Sequence, residues 1–319
     1  NNILVDLPDR SRKFHKRPTP LTGGIAIFIS LLISGKIYID LNDLNDFIPF
    51  FSAMLFVASF FIIIVFLIDD NRGIRPAYRL IAQSVATYFV IYSTGIYLEN
   101  LGNLFGFGEI NIGVYGIPVT IFCVVGVMNA FNMIDGINGL CAGSALVMLL
   151  FTGISSGFIY DSMAVLLIGS MIGFLIFNLR IVGKRRAVFL GDHGSNFIGF
   201  NVAWVAIYCS QMEAYSINPI TIVWFIAIPF LDCIGLIISR TLRGRNWATP
   251  GKDHIHNKLM QYYSAEVSLI IILFFSSLIG FIALILDKSF DEYISFYGFV
   301  LLSLFYYLFF YIRSIYKQG

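Results

Sequence analysis

Long apolar runs separated by short polar segments organise this chain from end to end. Ten runs stand out, at about 21–39, 47–68, 80–98, 117–134, 139–157, 162–179, 195–212, 217–238, 267–286 and 294–312. Each is close to the roughly 20 residues that a helix needs to cross the hydrocarbon of a bilayer. Few charges interrupt them, and the two-residue alternation of a membrane-spanning strand is missing, which argues against a barrel. The pattern predicts an all-α polytopic membrane protein with ten visible transmembrane helices. No loop between the runs is long enough for a soluble domain, so residues 1–319 read as a single integral membrane domain.

Composition agrees. Hydrophobic residues fill 58% of the 319 positions and charged residues only 13%, where a soluble domain carries roughly 25%. A water-exposed globule and a disordered chain are both excluded. The net charge of +2 is too balanced for nucleic-acid binding through bulk charge. Cys123, Cys141, Cys209 and Cys233 lie in apolar stretches without paired spacing, as small hydrophobes rather than as a disulfide or zinc framework.

Charge also sets an orientation. With the N-terminal segment cytoplasmic and the loops alternating, nineteen of the 21 basic residues fall on the cytoplasmic face. Only Lys36 and Lys288 fall opposite, among Asp40, Asp43, Asp46, Asp287, Asp291 and Glu292. So one-sided a distribution places the basic loops inside by the positive-inside rule. Position 1 is Asn rather than Met and the chain opens directly in a basic segment, so processing or a further helix upstream is expected.

Nearly all the unusual polar residues gather on that same face, whereas a transporter more often holds ionisable groups near mid-membrane. Only Asp232 sits well inside a run. Five clusters carry the chemistry. At residues 17–24, Gly23 and Gly24 permit close backbone approach and Arg17 suits an anionic headgroup, although a proline-stiffened turn explains the segment as well. At 68–75, the adjacent carboxylates Asp69 and Asp70 must hold a cation, pair with arginines such as Arg72 and Arg75, or share a proton. On a helix they diverge by roughly 100°, so each can serve a different partner.

At 129–140, Asn129 and Asn132 share a helix face, then Gly136 and Gly139 break the helix and free Asp135 and Asn138 toward the cytoplasm. Amides suit a base edge or a hard metal, and this density of polar groups favours a ligand site over simple capping. At 189–195, Ser195 is placed to cap the next helix, whose N-terminus attracts anions, and Asp192 beside it is a natural hard-metal ligand; an ordinary capped turn is the plainer alternative. At 249–258, His254 and His256 stand two residues apart, which an extended backbone would aim the same way. Zinc lacks a cysteine or third histidine here, so with Lys252 and Arg245 nearby the loop fits a pyrophosphate better, or is simply a solvated basic loop.

In this order the clusters resemble the polyprenyl-phosphate N-acetylhexosamine-1-phosphate transferases, glycosyltransferase family 4. The Asp-Asp pair after a span, Asn-x-x-Asn-x-x-Asp-Gly-x-Asn-Gly-Leu, Gly-Asp-x-Gly-Ser and the His-x-His loop all match, and the likeness runs the length of the chain. The runs at 129–136, 226–232 and 253–256 resemble the N-acetylglucosaminyl branch more than the phospho-N-acetylmuramoyl-pentapeptide branch. Two features depart from the family. Asn257 stands where its histidine loop usually has a further histidine, and the family carries an eleventh helix ahead of the first cluster.

The resemblance implies a bacterial inner-membrane enzyme, its catalytic loops cytoplasmic, that uses a UDP-sugar donor and undecaprenyl phosphate. N-acetylglucosamine 1-phosphate would be transferred, UMP released, and a lipid-linked diphospho-sugar formed that starts a cell-surface polysaccharide such as O antigen. Another UDP-N-acetylhexosamine, or UDP-MurNAc-pentapeptide, remains an alternative donor, and a polyprenyl-phosphate flippase is the alternative from another class. By motif position, Asp69, Asp70 and Asp192 are catalytic, with Asp69 (or Asp70) as base. Asp192 and then Asn132 would hold Mg²⁺ or Mn²⁺. Asn138 would read the uracil, with Asp135 and Asn129 supporting the nucleotide, and His254, His256, Arg245 and Arg17 would hold phosphates or sugar. The partners implied are the donor, the lipid acceptor and the bilayer, with no nucleic acid; a homodimer stays open.

Overall fold

The computed structural model describes residues 4–6, 18–42, 47–157, 162–212, 217–244, 251 and 253–312. Each of the ten apolar runs lies on helix. They are α1 (Gly23–Asn42), α2 (Phe47–Arg72), α3 (Pro76–Thr94), α4 (Gly116–Ile134), α5 (Leu140–Ser156), α6 (Ser162–Asn178) and α7 (Asp192–Gln211). The broken pair α8 (Pro219–Phe225) and α9 (Ala227–Leu242), then α11 (Ala265–Ser289) and α12 (Glu292–Tyr307), complete the set, with a short α10 (Ile255–Leu259) before α11. Among the described residues, five helices are long and apolar enough to cross a membrane, or six if the broken pair counts as one span. This is a multi-pass, all-α membrane protein.

Three local departures from the sequence reading have physical causes. Helix α3 starts four residues earlier than expected, because Pro76 at its first position needs no amide partner there. The eighth run is bent by 82° between α8 and α9. Pro229 can give no amide to the Phe225 carbonyl four residues back, and its ring crowds that carbonyl. A two-residue antiparallel pair, β1 (Val5–Asp6) with β2 (Thr19–Pro20), precedes α1 where no strand was expected.

Helix α7 is the hub. Sixteen of its twenty residues are buried, and it packs against α1, α2, α4, α5 and α8. Small residues make these contacts close: a Cβ on Gly199 would stand 2.8 Å from the Met128 Cα of α4, and one on Gly24 of α1 would stand 2.3 Å from the Gly194 Cα. Between membrane helices such approach replaces the hydrophobic drive with dispersion contact. The start of α1 is further pinned by Gly23 and Gly24 amides donating to the carbonyls of Phe189 and Leu190. The four cysteines are free, and three of them are buried, as their apolar surroundings suggested.

Candidate active site

One end of the bundle gathers the C-termini of α2 and α4, the N-termini of α3 and α7, and the loop carrying α10. Asp69 and Asp70, the last acids of α2, diverge as the helix requires. Asp69 is 4% exposed; its Oδ1 accepts the Ile74 amide at 2.5 Å and its Oδ2 lies 2.8 Å from Arg79 Nε. Asp70 turns instead to α7, accepting from the backbone amides of Asp192 at 3.1 Å and His193 at 3.4 Å, with His193 Nδ1 at 2.5 Å.

The arginine that meets the acid pair is therefore Arg79 of α3. The expected partners Arg72 and Arg75 are exposed instead, since both precede the first turn of α3, on which Arg79 is carried back toward α2. Arg79 also reaches Asp192 at 3.6 Å.

Asp192 is the first residue of α7 and its side chain is 44% exposed. Gly191, at φ 79°, turns the chain there: a Cβ at that position would meet the His193 ring at 2.6 Å. Ser195 does not cap α7, contrary to expectation. The helix begins three residues before it, so its hydroxyl bonds back to the Gly191 and Asp192 carbonyls and accepts Asn132 Nδ2 at 2.9 Å. Asn132 also donates to Asp192.

Asn129 belongs to an amide ladder. Its Nδ2 donates to Gln83 Oε1, Gln83 Nε2 to Asn196 Oδ1, and Asn196 Nδ2 to the Asp192 carbonyl, at 3.0, 2.7 and 2.9 Å. The ladder ties α4 through α3 to the first turn of α7.

Helix α4 ends at Ile134 and α5 begins at Leu140, so the two glycines break the helix as expected. Asp135 and Asn138 lie on that turn, partly buried. The Asp135 carboxyl is pushed up to about 7 by burial and by the charges of Asp192 and Asp70. Asn178 at the end of α6 holds the turn, accepting the Gly139 amide at 2.6 Å and donating to the Val188 carbonyl at 2.8 Å.

The histidine loop closes on the same turn. A Cβ on Gly136 would stand 2.0 Å from His256 Nε2. His254 is the N-cap residue of α10 and His256 lies within it, so the backbone between them is not extended; even so their rings stack at 5.3 Å, 13° from parallel. His256 is held down to about 4, mainly by burial and then by its neighbour His254. Arg240 grips Asp253 with two bonds, of 2.6 and 3.1 Å. Arg17 and Arg245 lie outside the described residues.

Sequence reasoning missed Arg79, His193, Gln83 and Asn196, whose partners lie far away along the chain. Asp232 was visible as the one acid inside a run, but its contact with His254, 2.9 Å from Asp232 Oδ2 to Nδ1, was not.

Among the described residues no three His, Cys, Asp or Glu side chains converge to hold a metal alone. A magnesium site needs only one or two carboxylates when phosphates supply the rest. The donors here suit that: Asp69, Asp70, Asp135 and Asp192 crowd together against one ion-paired guanidinium, Arg79, among the described residues. That surplus of negative charge favours a hard divalent cation.

The fold and this end of the bundle define a polytopic membrane protein with an acid-rich site at the ends of its helices. The chain belongs to glycosyl transferase family 4, whose model matches residues 52–210. Among its relatives are proteins named undecaprenyl-phosphate alpha-N-acetylglucosaminyl 1-phosphate transferase. That of Yersinia pestis is 33% identical over 89% of this chain and 77% of its own length. The Escherichia coli K12 relative is 32% identical over 90% and 77%. The Haemophilus influenzae relative is 30% identical over 98% and 86%.

Proposed function

We propose that this protein transfers N-acetylglucosamine 1-phosphate from UDP-GlcNAc to undecaprenyl phosphate, releasing UMP. The observation that carries the reading is the convergence of Asp69, Asp70, Asp135, Asp192, Arg79 and the histidine loop at one end of the bundle, in a chain of this family. An oxygen of the lipid phosphate attacks the phosphorus that bears the sugar, and the bond from that phosphorus to the UMP oxygen breaks.

Asp69 at the end of α2 is the group for keeping the acceptor phosphate deprotonated, with Arg79 orienting its carboxylate. Asp70, filled by donors from α7, holds the start of that helix. Mg²⁺ or Mn²⁺ held here would supply screening of the phosphates and would draw charge from the leaving UMP. Asp192, half-exposed at the α7 N-terminus, is the ligand best placed for it, with Asn132 next. Asn138 and Asp135 serve the uracil end of the donor, and His254 and His256, with Arg245, its diphosphate or sugar. Attack is direct, because a lipid phosphate needs little activation; labelling of Asp69 or Asp70 by the donor's β-phosphate would overturn this.

The reading includes ten membrane-crossing helices, a cytoplasmic site and residence in the inner membrane. The one-sided distribution of basic residues supports that orientation.

The test offers purified protein undecaprenyl phosphate, Mg²⁺ and, separately, UDP-GlcNAc, UDP-GalNAc and UDP-MurNAc-pentapeptide. UMP from UDP-GlcNAc, lost with EDTA, is expected. UDP in place of UMP, or UMP only from another donor, would overturn the assignment.

A further inference from the structure

The histidine loop is anchored by a carboxylate that the transfer reaction does not touch. Asp232 lies on α9, is 1% exposed, and has its two oxygens unequally loaded. Oδ1 receives three donors: the Ile255 amide at 2.9 Å, the Tyr311 hydroxyl at 2.6 Å and the Tyr306 hydroxyl at 3.4 Å. Oδ2 faces His254 Nδ1 at 2.9 Å. Being acceptor-only as a carboxylate, Asp232 requires hydrogen on Nδ1, which makes Nε2 the ring nitrogen left for a ligand. The side chain is itself only 10% exposed and its ring is stacked on His256, so it cannot turn to offer Nδ1 instead.

We propose that Asp232 is a positioning residue for the transfer: it fixes the His254 ring as the Nδ1–H form and aims Nε2 at the diphosphate of the nucleotide-sugar donor. The proposal rests on the transferase reading only for the identity of that diphosphate; the proton placement stands apart from it.

Asp232→Asn makes the sharpest test. Three donors converge where Oδ1 lies, so the asparagine carbonyl must occupy that position and its NH₂ must face His254. The bond then inverts: Nδ1 has to accept, and the proton moves to Nε2. A similar inversion in a serine protease, made by the same change of acid to amide, leaves the geometry intact and disables the histidine.

In ¹⁵N spectra of the detergent-solubilised protein, with His254 assigned by His254→Gln, the wild type should show a protonated Nδ1 and the variant a bare one. Asp232→Asn should lower kcat/KM for UDP-GlcNAc about 10- to 100-fold with KM for undecaprenyl phosphate unchanged. Added to His254→Gln it should cost little more, because both changes remove the same interaction. Tyr311→Phe, which leaves the carboxylate in place, should cost less than about 5-fold.

A bare Nδ1 in the wild type overturns the proposal, whether or not Asp232→Asn folds. So does a loss from Asp232→Asn that multiplies fully with that of His254→Gln. Failure of the wild type to release UMP from UDP-GlcNAc, with Nδ1 protonated, would overturn the donor assignment and the aim of Nε2 at it, leaving the proton placement standing.

Discussion

The Asp70 carboxylate stands 2.5 Å from His193 Nδ1, across 123 residues of sequence, and it also takes the first amides of α7. Those amides have no capping side chain of their own, since Gly191 occupies the N-cap position. Asp70 therefore caps α7 from the neighbouring helix, where a negative charge also suits the positive end of the helix dipole. Asp70→Ala strands a fully buried imidazole and two amides, at about 2–4 kcal/mol. The apparent melting temperature in detergent should fall by roughly 5–10 °C. Asp192→Ala loses a long contact to Arg79 and the Asn132 donor, both from a half-exposed side chain, and should shift it by less than about 2 °C. Equal shifts for the two variants would refute the capping role.

The crossing of α1 over α7 makes a second prediction. Gly24→Ala would drive a methyl to 2.3 Å from backbone at Gly194, which cannot move aside as a side-chain tip can. The helices must separate, at a cost of about 1–3 kcal/mol or more. Because Gly194 follows Asp192 and His193 so closely, turnover should fall together with thermal stability. Gly169→Ala on α6, where none of the described residues lies within 4 Å of the new methyl, is the control and should be neutral. Wild-type turnover in Gly24→Ala would show that this contact tolerates separation without disturbing the site.

Much of this end of the bundle was legible in the sequence because helix geometry is local. The divergence of Asp69 from Asp70, the helix break between Gly136 and Gly139, and the approach allowed by Gly23 and Gly24 all follow from short-range rules, and all are found. What stayed hidden was which distant side chain completes each pair. Arg72 and Arg75 were nearer to the acids along the chain than Arg79, yet only Arg79 lies on the helix that folds back over them. Asn129 and Asn132 share a face, but one enters a ladder through Gln83 while the other reaches Ser195. Such choices depend on how α3, α4 and α7 pack, and no single-helix periodicity encodes that.

Asp192→Asn should abolish metal-dependent turnover, by more than about 1,000-fold, while leaving the fold intact. The amide keeps the size of the side chain and its place beside Asn132 and Arg79 but removes the charge that a hard cation needs. The check is UMP release measured across a Mg²⁺ titration, with the melting temperature recorded on the same sample. Near-normal release at saturating Mg²⁺ would remove Asp192 as the ligand.

His256 predicts how stability responds to acid. Its ring is held to about 4 by burial and by His254, against about 6.5 in an unfolded chain. Between those values the unfolded state binds the extra proton and the folded state does not, so stability must rise with pH across that window. It is fully present above about pH 6.5 and is lost as pH falls toward 4, by up to about 3 kcal/mol. Asp232 on α9 opposes the shift and His254 reinforces it, and both remain in place when His256 is replaced. Melting temperatures from pH 7 to pH 4.5 should therefore fall less steeply in His256→Asn than in the wild type, even though the variant also loses the stacking on His254. Parallel slopes would mean that His256 accepts its proton without loss of the fold, and that the stacked histidine pair is not the acid-sensitive element of this loop.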